Sequence, residues 1–152
     1  YGYEKLIYPS NLGLDLSKIN ASEKICFDKE VESLRKEVFH SEFSIINASC
    51  GVSSHGVVCV ISSKEQPRML SLAPTLCIIL LKKEQIVRSM SEAFALVKKE
   101  CGDKAKSSNA LNSNKTLPNN ILFIAGPSRT ADIELITVFG VHGSQKVHLV
   151  LY

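Results

Sequence analysis

"ILFIAGPSRTADIELITVFGVHGSQKVHLVLY" occupies residues 121–152 and decides how the rest of the chain is read. "ILFIAG" is a continuous apolar run that ends in a Gly-Pro turn, the pattern of a strand buried on both faces. Ser128, Arg129 and Thr130 follow, then two carboxylates, Asp132 and Glu134. A cap-forming cluster followed by acids predicts a helix start. "GVHGS" (140–144) reads as a helix stop at Gly140 and a tight loop in which Gly143 allows a positive φ. "KVHLVLY" (146–152) reads as the last strand, with His148 as a satisfied strand histidine.

Working outward, "EKLIYP" (4–9), "FSIINAS" (43–49), "GVVCVISS" (56–63) and "LCIILL" (76–81) are further strands, rich in β-branched and apolar residues. Residues 28–40 read as a helix with Val31, Leu34 and Val38 on one face. In "QIVRSMSEAFALVKKECG" (85–102), Ile86, Met90, Ala93, Phe94, Val97 and Cys101 recur at helical spacing. Lys98 and Lys99 suit its last turn, and Gly102 is placed to end it. Residues 103–120 are polar and rich in Ser and Asn, so they read as a mobile surface loop. Strands alternating with helices give an α/β fold, a mostly parallel sheet with helices on both faces. At 152 residues this is a single domain. The strands ending near Pro9, Ser49 and Gly126 are expected in one parallel-dominated sheet, with 126–130 opening at its edge.

The totals exclude several function classes. A formal net charge of +3 comes from scattered basic residues. Nucleic-acid binding asks for a basic stripe or face, which the sequence lacks. No run is long and apolar enough for a membrane-spanning helix, so no membrane insertion is expected. The five cysteines are odd in number and contain no C-x-x-C. They read as reduced, buried thiols of a soluble intracellular protein, cytoplasmic or inside an organelle. No cofactor is called for: the spacing suits neither an iron–sulfur cluster nor a metal site. The chain opens at Tyr1 rather than Met and reads as a processed or trimmed form, which leaves any targeting segment out of view.

Two turns carry the residues that could do chemistry. In an α/β sheet, ligands sit beyond the carboxyl ends of strands. Gly126, Ser128, Arg129, Thr130 and Gly143 are therefore candidates to hold a small anion, with Asp132, Glu134 and His142 as weak catalytic candidates. The plainer reading is that Ser128 or Thr130 caps a helix and the acids satisfy its dipole. Removing Arg129 from an anion site should weaken binding about ten- to a hundredfold. The second turn, "NASCGVSSHGVV" (47–58), offers Ser54 and His55 as ligand contacts, and Cys50 with His55 as a thiol nucleophile and base. A buried Cys50 at a strand end is the commoner arrangement.

"GPSRTADIE" followed by "GVHGSQKVHLVLY" resembles the signature of the LUD domain family, as in lactate-utilisation protein C. The resemblance extends through "NASCGVSSHGVVCVISS" and "PRMLSLAPTLCIILLKKEQIV". It implies an α/β fold of the sugar-phosphate isomerase and CoA-transferase type, from which the family's N-terminal portion is lacking here. It also implies a role near lactate oxidation to pyruvate, a small anionic ligand and an iron–sulfur protein as partner. Gly126, Pro127, Ser128, Thr130, Ala131, Asp132, Ile133, Glu134, Gly140, His142 and Gly143 match the family's tail motif. Ser54 stands where many members carry Glu, His55 where they carry Thr, and Cys77 where many carry His. Those departures leave a second reading open, a non-catalytic LUD module acting as an interaction or scaffold subunit. A third reading is an acyl or CoA transferase using Cys50.

Overall fold

The computed structural model describes residues 1–28, 33–107, 118, 120–131 and 137–152. Five strands form one all-parallel sheet: β1 (Lys5–Pro9), β2 (Glu23–Phe27), β3 (Phe43–Asn47), β6 (Leu76–Leu81) and β11 (Lys146–Leu151), in the order β11-β6-β3-β1-β2. A second sheet holds β4 (Cys50–Val52), β5 (Val57–Ile61), β7 (Ile86–Val87) and β8 (Ile121–Ile124), in the order β7-β4-β5-β8. The helices are α1 (Arg35–His40), α2 (Met69–Leu72) and α3 (Met90–Ser107), with a 3-10 turn at Lys83–Gln85. β9 (Arg129–Ala131) and β10 (Thr137–Phe139) form a hairpin.

The chain is thus of the α/β class around a parallel sheet. β3 and β6 lie at its centre, in register from Phe43 opposite Leu76 to Asn47 opposite Leu80. Ile46 and Ile79 on one face, and Ile45 and Leu76 on the other, are almost wholly buried. That is why both strands read as unbroken apolar runs.

The first face carries the main core. Ile7, Phe27, Ile46, Ile79 and Leu81 pack with Val38 of α1, Leu70 of α2 and Val58 and Val60 of β5. The second sheet therefore lies against the first. Their approach is close at Gly51, where a Cβ would stand 2.6 Å from Leu81 Cδ2. α3 covers the outer face of the second sheet through Ala93 and Val97, against Cys50, Val52, Cys59 and Ile61. The other face of the parallel sheet is covered by the connection through Leu12, Leu16 and Ile19 rather than by a helix.

Four expectations need correction. The strand at 121–124 is not in the parallel sheet; β8 runs antiparallel to β5, and both belong to the second sheet. The segment after Gly126 opens as a strand, not a helix, because Arg129–Ala131 pairs with Thr137–Phe139. Thr130, Thr137 and Val138 are β-branched, and in the sequence the acids at 132 and 134 outweighed that preference. α3 does not stop at Gly102 but runs to Ser107, so 103–107 are helical. Ile86 belongs to β7 and Phe94 is 44% exposed, so the buried stripe of α3 is narrower than the spacing suggested. Residues 29–32, 108–117, 119 and 132–136 lie outside the described residues, and with them Val31, Asp132, Glu134 and most of the polar 103–120 stretch.

Candidate functional site

The chain makes a knot where β8 ends. Gly126 turns it with φ +151°, a value L side chains rarely adopt. Ser128 follows and is tied to the 140–144 loop by three hydrogen bonds. Its N–H donates to the Ser144 carbonyl (2.9 Å), its carbonyl accepts from Gly140 N–H (3.1 Å), and its Oγ accepts from His142 N–H (3.3 Å). Gly143 lies against it. A Cβ there would sit 3.3 Å from Ser128 Cβ and 3.6 Å from Leu72 Cδ2. So Gly143 is required by close approach, not by a positive φ. The positive φ, +79°, belongs to Gly140, where a Cβ would also run into the side chain of Gln145.

Ser144 anchors the knot to the rest of the fold. It is 4% exposed, and its Oγ lies 2.7 Å from the Pro74 carbonyl and 3.1 Å from that of Ser71. One hydroxyl hydrogen serves two acceptors, one in the last turn of α2 and one just beyond it. Ser144→Ala removes that donor and leaves buried carbonyls unpaired, at a cost of about 1–3 kcal/mol. Chemical denaturation checks it; an unchanged midpoint would show that the anchor contributes nothing.

Between this knot, α2 and the two sheets opens a cavity of about 390 Å³. Its walls are apolar: Leu72, Leu122, Ile124 and Val147. Its polar groups are Ser71, Ser128, His142 and Ser144, with backbone from Ala125, Gly126 and Gly143. None of the lining residues carries a carboxylate. The Ser128 hydroxyl accepts from His142 N–H, which leaves its own hydrogen to donate to a ligand oxygen. A larger cavity, about 460 Å³, sits on the opposite face of the parallel sheet at Tyr1, Tyr3 and Phe43. It is away from the turns that follow β8, and Asn20, Ser22 and the Glu4 carboxylate share its lining, a carboxylate that would repel an anion. Chemistry therefore favours the smaller cavity over the larger.

Of the residues expected at the site, Gly126, Ser128, His142 and Gly143 meet at this cavity. Arg129 and Thr130 are not in its lining. Arg129 is exposed on β9, and its guanidinium lies 5.4 Å from the Phe139 ring centroid, a cation–π contact across the hairpin. Ser54 and His55 sit in the β4–β5 turn, where Ser53 and Ser54 N–H groups donate to the carbonyls of Val87 and Arg88. Ser54 Oγ and His55 Nδ1 are 2.7 Å apart, both residues exposed. Neither lines the cavity.

Cys50 does not meet His55. It is wholly buried under α3, opposite Cys59 across β4 and β5. Burial pushes its thiol above the ordinary range, and pushes Cys59 up to about 12. A nucleophilic cysteine needs the reverse, a stabilised thiolate. Cys77 is equally buried, its thiol raised to about 11 by desolvation. Cys26, Cys50, Cys59 and Cys77 are all free thiols. Among the described residues no group of His, Cys, Asp or Glu is placed to hold a metal ion, and no helix is long and apolar enough to cross a membrane.

Ser144, Ser71, Leu72 and Val147 were not foreseen at the site. Ser144 left one sequence signal, a serine directly after the glycine that closes the tight loop. The others come together only through the packing of α2 and β11.

The structure thus places a strand-end pocket between two glycine-bearing turns on an α/β scaffold. The LUD domain family model matches residues 10–152, and the chain belongs to that family. It is 32% identical over 124 residues to Lactate utilization protein C of Bacillus subtilis, covering 82% of this chain and 47% of that protein. Identity to the protein of the same name from Bacillus licheniformis is 36% over 95 residues, 62% of this chain and 35% of that one. The chain thus spans less than half the length of these relatives. The crystal structure of a DUF162 family protein from Deinococcus radiodurans superposes with a TM-score of 0.64 over 99% of this chain and 76% of that one, at 14% identity. It supports the fold alone.

Proposed function

We propose that this chain is a LUD domain that binds a small organic anion in the cavity after β8, in a lactate-utilisation role. The observation that carries the reading is the set of hydrogen bonds by which Ser128 joins His142, Gly140 and Ser144 at the cavity wall. These bonds fix a hydroxyl donor before any ligand arrives, which reduces the ordering cost of binding. The apolar wall of Leu72, Leu122, Ile124 and Val147 suits a short carbon skeleton, and the Ser128 hydroxyl with the imidazole of His142 suits a carboxylate or a hydroxyl. The names of the Bacillus relatives point to lactate or its oxidation product, pyruvate. A partner carrying an iron–sulfur cluster accords with that role.

A thermal-shift screen of lactate, pyruvate, other short organic acids, sugar phosphates and CoA tests the proposal. A ligand at a hundred times its dissociation constant should stabilise the chain by about 2.7 kcal/mol. Ser128→Ala should weaken binding about ten- to a hundredfold, by removing a charge-assisted hydrogen bond. Arg129→Ala should change affinity by less than about threefold, because its guanidinium is spent on Phe139. If no anion stabilises the folded chain, the scaffold reading replaces this one.

A further inference from the structure

We infer that the cavity after β8 takes a single-headed amphipathic acid, a 2-hydroxy or 2-oxo monocarboxylate whose chain runs past lactate's length to about six carbons. The inference rests on the reading of that cavity as an anion site, and it names the charge and length of what fills it.

The free polar side chains stand on one wall. Four polar side chains belong to the lining, and two of them are already spent. Ser144 Oγ serves the carbonyls of Pro74 and Ser71, and Ser71 Oγ donates to the Arg68 carbonyl at 2.8 Å. Ser128 and His142 remain. Both belong to the knot, where His142 N–H donates to Ser128 Oγ. A ligand therefore has one place to set a polar head. Among the described lining residues none is a lysine or an arginine. A phosphate or pyrophosphate, with more than one negative charge, would lose its water there without gaining a cation. A monocarboxylate asks less and is served by a hydroxyl donor.

The remaining wall is aliphatic. Leu122 and Ile124 alternate along β8 with Phe123, so they point the same way. With Val147 they pack on the main core as half-buried side chains, and Leu72 joins them from the end of α2. Each keeps part of its surface accessible. A hydrocarbon tail laid against them takes apolar area out of water on both sides of the contact.

Volume sets the length. The cavity measures about 390 Å³. An apolar cavity of about 150 Å³ accommodates benzene, with about the same number of non-hydrogen atoms as lactate or pyruvate. Either acid would thus fill well under half of the space, with its head on Ser128 and the aliphatic wall left uncovered. Extending the chain along that wall uses the rest.

Calorimetric titration of the folded chain with lactate, 2-hydroxybutyrate, 2-hydroxypentanoate and 2-hydroxyhexanoate tests this. Each added methylene should tighten binding about three- to fourfold, so that 2-hydroxyhexanoate binds about 30- to 60-fold tighter than lactate. Leu122→Trp, which fills the aliphatic end, should shrink that ratio to less than about threefold. Hexyl phosphate, a similar tail under a more highly charged head, should bind at least about tenfold more weakly than 2-hydroxyhexanoate. Lactate binding as tightly as 2-hydroxyhexanoate overturns the inference and leaves the anion site standing, whereas failure of every acid to bind overturns both. The length series on the wild type does not depend on how Leu122→Trp folds. A length gain undiminished in a folded Leu122→Trp, or hexyl phosphate binding as tightly as 2-hydroxyhexanoate, also overturns it.

Discussion

Leu70→Ala should cost the fold about 2–5 kcal/mol. Leu70 is wholly buried on α2, in the cluster that joins Ile46 and Ile79 of the parallel sheet to Val58 and Val60 of β5. Shortening it removes transfer free energy and leaves a void that the two sheets cannot close, since Gly51 already brings them together near Leu81. In a domain of this size about 3 kcal/mol corresponds to a melting temperature lower by roughly 6–12 °C. Leu96→Ala, on the exposed side of α3, should stay within about 0.5 kcal/mol. Urea denaturation of both variants checks the pair. Equal losses would mean that the sheet-to-sheet core does not dominate stability.

Alkaline pH should destabilise the protein steeply, with the effect traceable to thiols. Burial raises the pKa of Cys50, and holds Cys59 and Cys77 at about 12 and 11. In the unfolded chain the same thiols ionise near the ordinary value of about 8.5. Between roughly pH 9 and 11 the unfolded state therefore holds fewer protons than the folded state, and the equilibrium moves toward unfolding as pH rises. The stability is fully present below the unfolded value and is lost as pH climbs toward the folded values. Each thiol contributes a slope of about 1.4 kcal/mol per pH unit while only its unfolded form is ionised. Urea midpoints measured at about pH 8, 9 and 10 should fall progressively, and Cys77→Ala should flatten the slope by one thiol. A flat profile, or a slope unchanged in Cys77→Ala, would show that these thiols are not protonated in the folded core.

The parallel sheet was largely legible in the sequence, because β3 and β6 are buried on both faces and carry apolar residues at nearly every position. β2 was not. Glu23 and Lys24 are exposed at its start, and only Phe27 is buried, so "EKICF" shows no strand period. The second sheet was illegible as a separate unit, since β8 is as apolar as a parallel-sheet strand but pairs antiparallel with β5. Strand composition reports burial, not partner or direction. At the site, glycines and Ser128 announced the turns, but the 140–144 loop follows strand β10, not the helix that Gly140 was expected to stop. Arg129 was misplaced by the same local reading. In a helix start it would have faced a ligand; in a hairpin strand it faces Phe139. Ser71, Leu72 and Val147 come from elements distant in sequence, and no local pattern joins them to Ser128.

The pocket after β8 is the center of this account, and backbone amide NMR during titration with lactate and pyruvate tests it most directly. The expected result is saturable shifts of the Gly126, Ser128, His142, Gly143 and Ser144 amides, with Ser54, His55 and Arg129 moving little. Saturable shifts that cluster instead at the β4–β5 turn, or no saturable shift with either acid, would contradict it.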